Sequence, residues 1–221
     1  MADMETAING NIYVSQSSIR NLPQTQQLWQ YSDDGTSMIY NTPVETGKNL
    51  DAKQGKVSNY RGTCGIVSCV NILRLAGRSC TTENEVLTVA LQGKLCIAND
   101  NAGKNGGTTP DGRKKILTAF GLDSELKPTS IETIAQCVSE GRGVIISVDA
   151  RKLWRSLKIP PNSLHAVTVT SVQKDTNNQI EGFYICDSGS GANDSAKFYT
   201  TKHLQNSLSL RPMNVTTTII R

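Results

Sequence analysis

The chain has 221 residues, and 37% of them are hydrophobic and 19% charged, which is enough for a sizeable core and excludes global disorder. Net charge is +4 from 23 basic and 19 acidic residues, too balanced to mark a nucleic-acid binder by itself, so nucleic acid is not an expected partner. No apolar run approaches the ~18 residues of a membrane span, and the start of the chain lacks a basic n-region and an apolar h-region. The expectation is therefore a chain with no membrane partner and no signal peptide, cytoplasmic or exported by a signal-independent secretion system.

Residues 1–58 are polar, rich in Asn, Gln, Ser and Thr, with no sustained period. Strand-like pieces at 12–14 and 38–40 interrupt them. This segment reads as an N-terminal arm or loose first layer, and residues 59–221 as the main domain. Over 64–76 (CGIVSCVNILRLA) the polar residues Ser68, Asn71 and Arg74 recur every third position among apolar ones, which predicts a helix buried on most sides and ended by Gly77. Thr82 and Glu85 form a capping box for a helix to about residue 92. A loop rich in Gly, Asn and Asp follows over 97–108, and its 103–107 part (GKNGG) reads as mobile and bordering a cleft. Thr109-Pro110 then supplies an N-cap and first-turn proline for a helix to Phe120, stopped by Gly121. Thr129 with Glu132 predicts the cap of another helix to about residue 140.

The period then changes. Residues 143–149 (GVIISVD), 166–173 (AVTVTSVQ) and 181–187 (EGFYICD) read as strands, the last two joined by a hairpin turn over 174–179. A short helix is expected over 200–208 and a closing strand over 214–220. Helices followed by antiparallel strands indicate an α+β fold. The basic groups at 113–115 and 151–158 read as solvated helix faces, and His203 as a surface residue.

The six cysteines are few for a disulfide scaffold, which runs at about 8–10% of a chain. They form no C-x-x-C pair, and only two histidines accompany them, so reduced thiols and no metal site are expected. Cys64 stands apart, because it sits where a polar turn meets the first residue of a buried helix. A thiolate there faces unpaired helix N–H groups, which lowers a thiol from its ordinary value near 8.5. His165 opens the 166–173 strand and Asp187 ends its hairpin partner. Adjacent strand ends can bring the two within hydrogen-bond reach, with Asp187 orienting His165 and His165 serving Cys64 as base and acid. Cys69 lies about 140° further round the helix and points elsewhere.

The segment Asn59-Tyr-Arg-Gly-Thr-Cys64-Gly-Ile-Val-Ser-Cys69 resembles the nucleophile segment of papain-like bacterial cysteine peptidases. It is most similar to the branch of double-glycine leader peptidases. Residues 107–112 (GTTPDG), 140–149 (EGRGVIISVD), 165–170 (HAVTVT) and 184–191 (YICDSGSG) match that pattern in order, so the resemblance covers about 59–210. It implies a papain-like fold in which an N-terminal helical part, with the nucleophile helix, packs on an antiparallel sheet. Cys64 is then the nucleophile, His165 the general base and Asp187 its orienter. It also implies a peptide or protein substrate and no cofactor. Such enzymes carry a Gln shortly before the Cys as an oxyanion donor. Here Ser58 stands in that region, with Gln54 further back, and Asn59 is the substitute whose amide can do the same task beside the Cys64 N–H.

The implied activity is amide hydrolysis, by a peptidase or a side-chain deamidase. Relatives without transporter domains resemble bacterial effector or toxin modules, where an immunity or inhibitor protein is a partner. Two alternatives of other classes stay open: a nucleic-acid-directed toxin using the basic groups, and a catalytically silent interaction module on the same scaffold.

Overall fold

In the computed structural model, residues 29–42, 50, 53–189 and 196–220 are described. The strand-like piece at 12–14 lies outside them. Helix α1 (Cys64–Leu75) is buried at every position from 65 to 73 and ends at Ala76, after which Gly77 takes a left-handed φ of 92°. In α2 (Glu83–Gln92) the Thr82 side chain accepts from the Glu85 N–H at 3.2 Å. In α3 (Pro110–Ala119) the Thr109 side chain accepts from the Gly112 N–H at 3.0 Å, with Pro110 in the first turn. The cap expected at Thr129 falls one residue later. Ser130 is extended, and its Oγ accepts from the Thr133 N–H at 3.1 Å to open α4 (Ile131–Ser139). The Thr129 hydroxyl is committed to the Arg211 carbonyl instead.

Among the described residues eight strands form one sheet: β1 (Trp29–Tyr31), β2 (Ser37–Asn41), β3 (Ser124–Lys127), β4 (Arg142–Asp149), β5 (Leu164–Asp175), β6 (Ile180–Cys186), β7 (Lys197–Thr200) and β8 (Met213–Ile219). Two short helices, α5 (Ala150–Leu153) and α6 (Thr201–Ser207), complete the described elements. All strand pairs are antiparallel, and the main order is β1-β2-β5-β4-β8-β3. Strand β5 is the trunk. Its first half pairs with β4, its second half with β2, and β6 lies along its other edge and carries β7. The β5–β6 hairpin closes on Asp175, whose Oδ1 accepts from the Asn177 and Gln179 N–H groups at 2.8 Å each. Residues 29–41 thus add two strands to the same sheet as the rest.

Both faces of the sheet are covered, and the period-2 alternation of β4 divides the core between them. Val144, Ile146 and Val148 meet α4, α6 and the Phe183–Ile185 side of β6. Ile145, with Ala166 of β5, meets α1, α2 and α3. Fully burying each Val or Ile is worth about 1.5–3 kcal/mol relative to exposure. A strand apolar on both faces therefore holds the two layers together. This arrangement points the first turn of α1 at the start of β5. No described helix is long and apolar enough to cross a membrane.

Candidate active site

The segment before Cys64 is held from three directions. The buried Glu83 carboxylate accepts from the Gly55 N–H at 2.9 Å, the Lys56 N–H at 3.2 Å and the Thr63 hydroxyl. The 97–108 loop holds the other side, with Arg61 N–H donating to the Ala102 carbonyl and Gly62 N–H to the Asn105 carbonyl, both at 2.9 Å. Asn105 is itself buried and donates to the carbonyls of Asn59 and Asn99. This loop, whose 103–107 part reads as mobile from the sequence, buttresses the segment before Cys64. Gln54 supplies the third tie: its Nε2 donates to the Arg61 carbonyl at 3.0 Å, and its Oε1 accepts from the Ser188 hydroxyl at 3.1 Å.

Cys64 therefore begins α1 as a half-buried residue. Across from it His165 is buried at the head of β5, and its Nε2–H donates to Asp187 Oδ1 at 2.7 Å. That leaves Nδ1 as the ring nitrogen available to Cys64, whose thiol is electrostatically coupled to the ring. Asp187, 1% exposed, follows the last residue of β6. It also accepts from the Trp154 indole N–H at 2.5 Å and the Gly189 N–H at 2.9 Å. The Trp154 ring lies 5.1 Å from the His165 ring, centroid to centroid. The structure thus brings Cys64, His165 and Asp187 into one line.

The electrostatics of the line are coherent. Burial pushes the Cys64 thiol up, but the His165 hydrogen bond and charge, the Ala166 N–H and the Arg113 charge more than reverse it, so the net direction is down. Burial pulls His165 down, and its bonds to Asp187 and Cys64 outweigh that, raising it to about 10. Burial likewise pushes Asp187 up, while His165, Trp154 and Gly189 hold it below the ordinary carboxylate value. All three shifts favour a thiolate–imidazolium–carboxylate row. By contrast, burial pushes Cys69 up to about 12 and raises Cys96 and Cys137. None of the six cysteines is in a disulfide.

Asn59 stands in a left-handed turn, φ 66°, five residues ahead of Cys64 and exposed. Its side-chain amide has no hydrogen bond among the described residues. Trp154, Glu83 and Gln54 were not singled out as site residues from the sequence. A buried indole needs an acceptor, and Trp154 lies shortly before His165, which was the available signal. His203 is not a surface residue as expected. It is half-buried, edge-to-face with the Tyr199 ring, with Nε2 at 2.9 Å from the Leu153 carbonyl. Arg113 also departs from its expected solvated position, being 2% exposed, while Lys114 and Lys115 are exposed. Among the described residues no group of three His, Cys, Asp and Glu side chains is placed to hold a metal ion.

Gly189 has a spatial role beside the line. A Cβ there would lie 2.8 Å from His165 Cε1 and 3.0 Å from the Trp154 ring. In Gly189→Ala the imidazole, the indole or the 187–189 turn must shift, which disturbs the placement of the ring beside Cys64. The expected result is a fall in the Cys64 alkylation rate at pH 6 of roughly tenfold, as small misplacements at reacting groups cost. A rate equal to that of the unaltered chain would show that the ring has room to spare.

A helix opening on Cys64 against an antiparallel sheet, with His165 at the head of one strand and Asp187 just past the end of its neighbour, is the arrangement of the papain-like fold. Among solved structures the chain is similar to a C39-like peptidase from Bacillus anthracis, with a TM-score of 0.54 and 13% identity over 77% of this chain and 96% of that one. It is also similar to a double glycine motif protease from an AMS/PCAT transporter, solved in complex with the leader peptide, with a TM-score of 0.45 and 13% identity over 75% and 89%. No family model and no curated protein matches the chain.

Proposed function

We propose that the chain is a cysteine hydrolase that cleaves an amide, with a peptide as its first substrate class. One observation carries the assignment: Cys64 opens α1 opposite the His165 ring, whose Nε2–H is hydrogen-bonded to the buried Asp187 carboxylate, so the three side chains stand in line. In this mechanism the Cys64 thiolate attacks the carbonyl carbon, and the His165 imidazolium gives its proton to the leaving amine. The resulting thioester is then hydrolysed by water, which His165 deprotonates. Asp187 holds the ring by Nε2 throughout, and Trp154 covers that bond on one side. The fold shared with a C39-like peptidase makes a backbone amide the first bond to try. A glutamine side-chain amide meets the same chemistry.

The oxyanion donors in this reading are the Cys64 N–H and the Asn59 amide. Gln54 has both amide atoms engaged, by Arg61 and Ser188, whereas the Asn59 amide is uncommitted. Asn59→Ala should lower the hydrolysis rate by about 10²–10³-fold, the usual loss for one such donor. Alkylation of Cys64 should be unchanged in the same variant, because that reaction forms no oxyanion. Unchanged hydrolysis would remove Asn59 from the site.

The reading is tested by incubating the chain with a proteome-derived peptide library and analysing the products by mass spectrometry. Cleaved backbones identify a peptidase, and Gln-to-Glu conversions identify a deamidase. Neither product, with the chain folded, overturns the proposal. An effector or toxin role is a separate part of it. Growth inhibition on expression should then vanish in Cys64→Ala and persist when Arg151, Lys152 and Arg155 are neutralised. The reverse outcome would favour a nucleic-acid-directed toxin.

A further inference from the structure

Arg113 is buried where its sequence neighbours are solvated. It lies on the face of α3 that packs against α1, at the head of a stripe continued by Ile116, Leu117 and Phe120. Its side chain runs beneath the first turn of α1, and its Cδ would be 3.3 Å from a Cβ placed on Gly65, the residue after Cys64. Nε donates to Asn214 Oδ1 of β8 at 2.8 Å, and Nη2 donates to Ser147 Oγ of β4 at 3.1 Å. Asn214 is locked in turn, its Nδ2 donating to the Pro110 carbonyl at 2.8 Å. Both partners are neutral.

Among the described residues no carboxylate pairs with Arg113. A buried guanidinium without a counter-ion is costly, and the same hydrogen bonds could be met by a neutral side chain. The charge therefore needs an acceptor, and the negative candidate nearby is the Cys64 sulfur. Cys64, His165 and Asp187 in their ionised forms sum to one negative charge, which Arg113 neutralises.

We propose that Arg113 is a positioning residue for the nucleophile, its unpaired charge beneath the first turn of α1 holding Cys64 as the thiolate. The proposal rests on Cys64 being the nucleophile. Charged groups facing Cys64 are His165 from β5, backed by Asp187, and Arg113 from α3. Facing Arg113 are Cys64 and Cys69 from α1, with Arg211 as the other cation. Cys69 stays a thiol, so it does not neutralise the guanidinium. Arg113 is thus a second cation for Cys64, independent of the ring that transfers protons.

The test is the pH profile of Cys64 alkylation by iodoacetamide, mapped by mass spectrometry on the full chain. Arg113→Met keeps the stem and removes the charge. It should move the acid limb up by about one pH unit, as expected for loss of a nearby opposite charge, and slow labelling at pH 6 roughly tenfold. The rate at high pH, where the thiol is ionised anyway, should hold. Arg113→Lys should keep a limb near that of the unaltered chain. Asn214→Asp puts a carboxylate on Arg113 Nε, and should move the limb up with the arginine still in place. Superimposable limbs in folded Arg113→Met, or Arg113→Lys shifted as far as Arg113→Met, would overturn the proposal. If circular dichroism shows Arg113→Met unfolded, Asn214→Asp decides: an unmoved limb overturns the proposal. An ordinary cysteine limb in the unaltered chain would instead overturn the nucleophile assignment itself.

Discussion

Cys64→Ala is expected to lose amide hydrolysis by a factor on the order of 10⁴ or more while remaining folded. The size follows from chemistry, because removing the nucleophile removes the whole covalent route and leaves only binding and the oxyanion donors. The intact fold follows from position. Cys64 opens α1 as a half-buried residue, and the helix is buried through the residues after it, from 65 to 73. Peptide that the unaltered chain cleaves should therefore still bind, and Cys64→Ala should retain it uncut. Measurement of turnover, thermal midpoint and peptide binding on the same preparation separates the cases. Residual turnover within tenfold of the unaltered chain would mean that another group attacks.

His165→Ala comes next in size, with a pH dependence that identifies its cause. His165 is raised to about 10, so it holds its proton throughout the neutral range and loses it only as pH climbs through that value. Cys64 is lowered by the same partner, so the thiolate persists toward acid until pH falls through the depressed value. The reactive pair thus exists between those two limits, and hydrolysis should fall on both sides. Without the ring, the Cys64 limb should move toward the ordinary thiol value near 8.5. Alkylation at pH 6 should then drop by on the order of 10²-fold. Hydrolysis should drop further, by roughly 10³–10⁴-fold, because the proton carrier is gone as well. At pH 9.5 alkylation should recover and hydrolysis should not. Recovery of both would reduce His165 to an electrostatic neighbour.

Much of this site is written in local signals. The polar residues recurring every three in 64–76 marked α1, and its abrupt start marked the reactive position. The heads and tails of two apolar runs placed His165 and Asp187 at adjacent strand ends. Other parts were hidden for identifiable reasons. Strands β3 (SELK) and β7 (KFYT) are short and pair on only one side, so their pairing comes from a neighbour and not from their own pattern. Thr129 lost the cap to Ser130 because its hydroxyl is taken by a residue 82 positions away. Arg113 was grouped with Lys114 and Lys115 by adjacency, whereas helical spacing joins it to Ile116, Leu117 and Phe120. Glu83 heads the same kind of stripe, with Val86, Leu87 and Ala90, and it too is buried, at 6% exposure. A charged residue at the head of an apolar helical stripe was the signal available for both. The ties of Gln54 to Ser188 join distant segments, and no local pattern encodes them.

The most direct test is a competition among the six thiols. The folded chain is treated with limiting iodoacetamide at pH 6, quenched, and mapped by mass spectrometry. Cys80 is exposed, Cys96 partly so, and Cys69, Cys137 and Cys186 are buried, so accessibility alone favours Cys80. The thiolate–imidazolium row predicts that Cys64 is labelled first despite being less accessible than Cys80. Preferential labelling of Cys80 or Cys96 would contradict it.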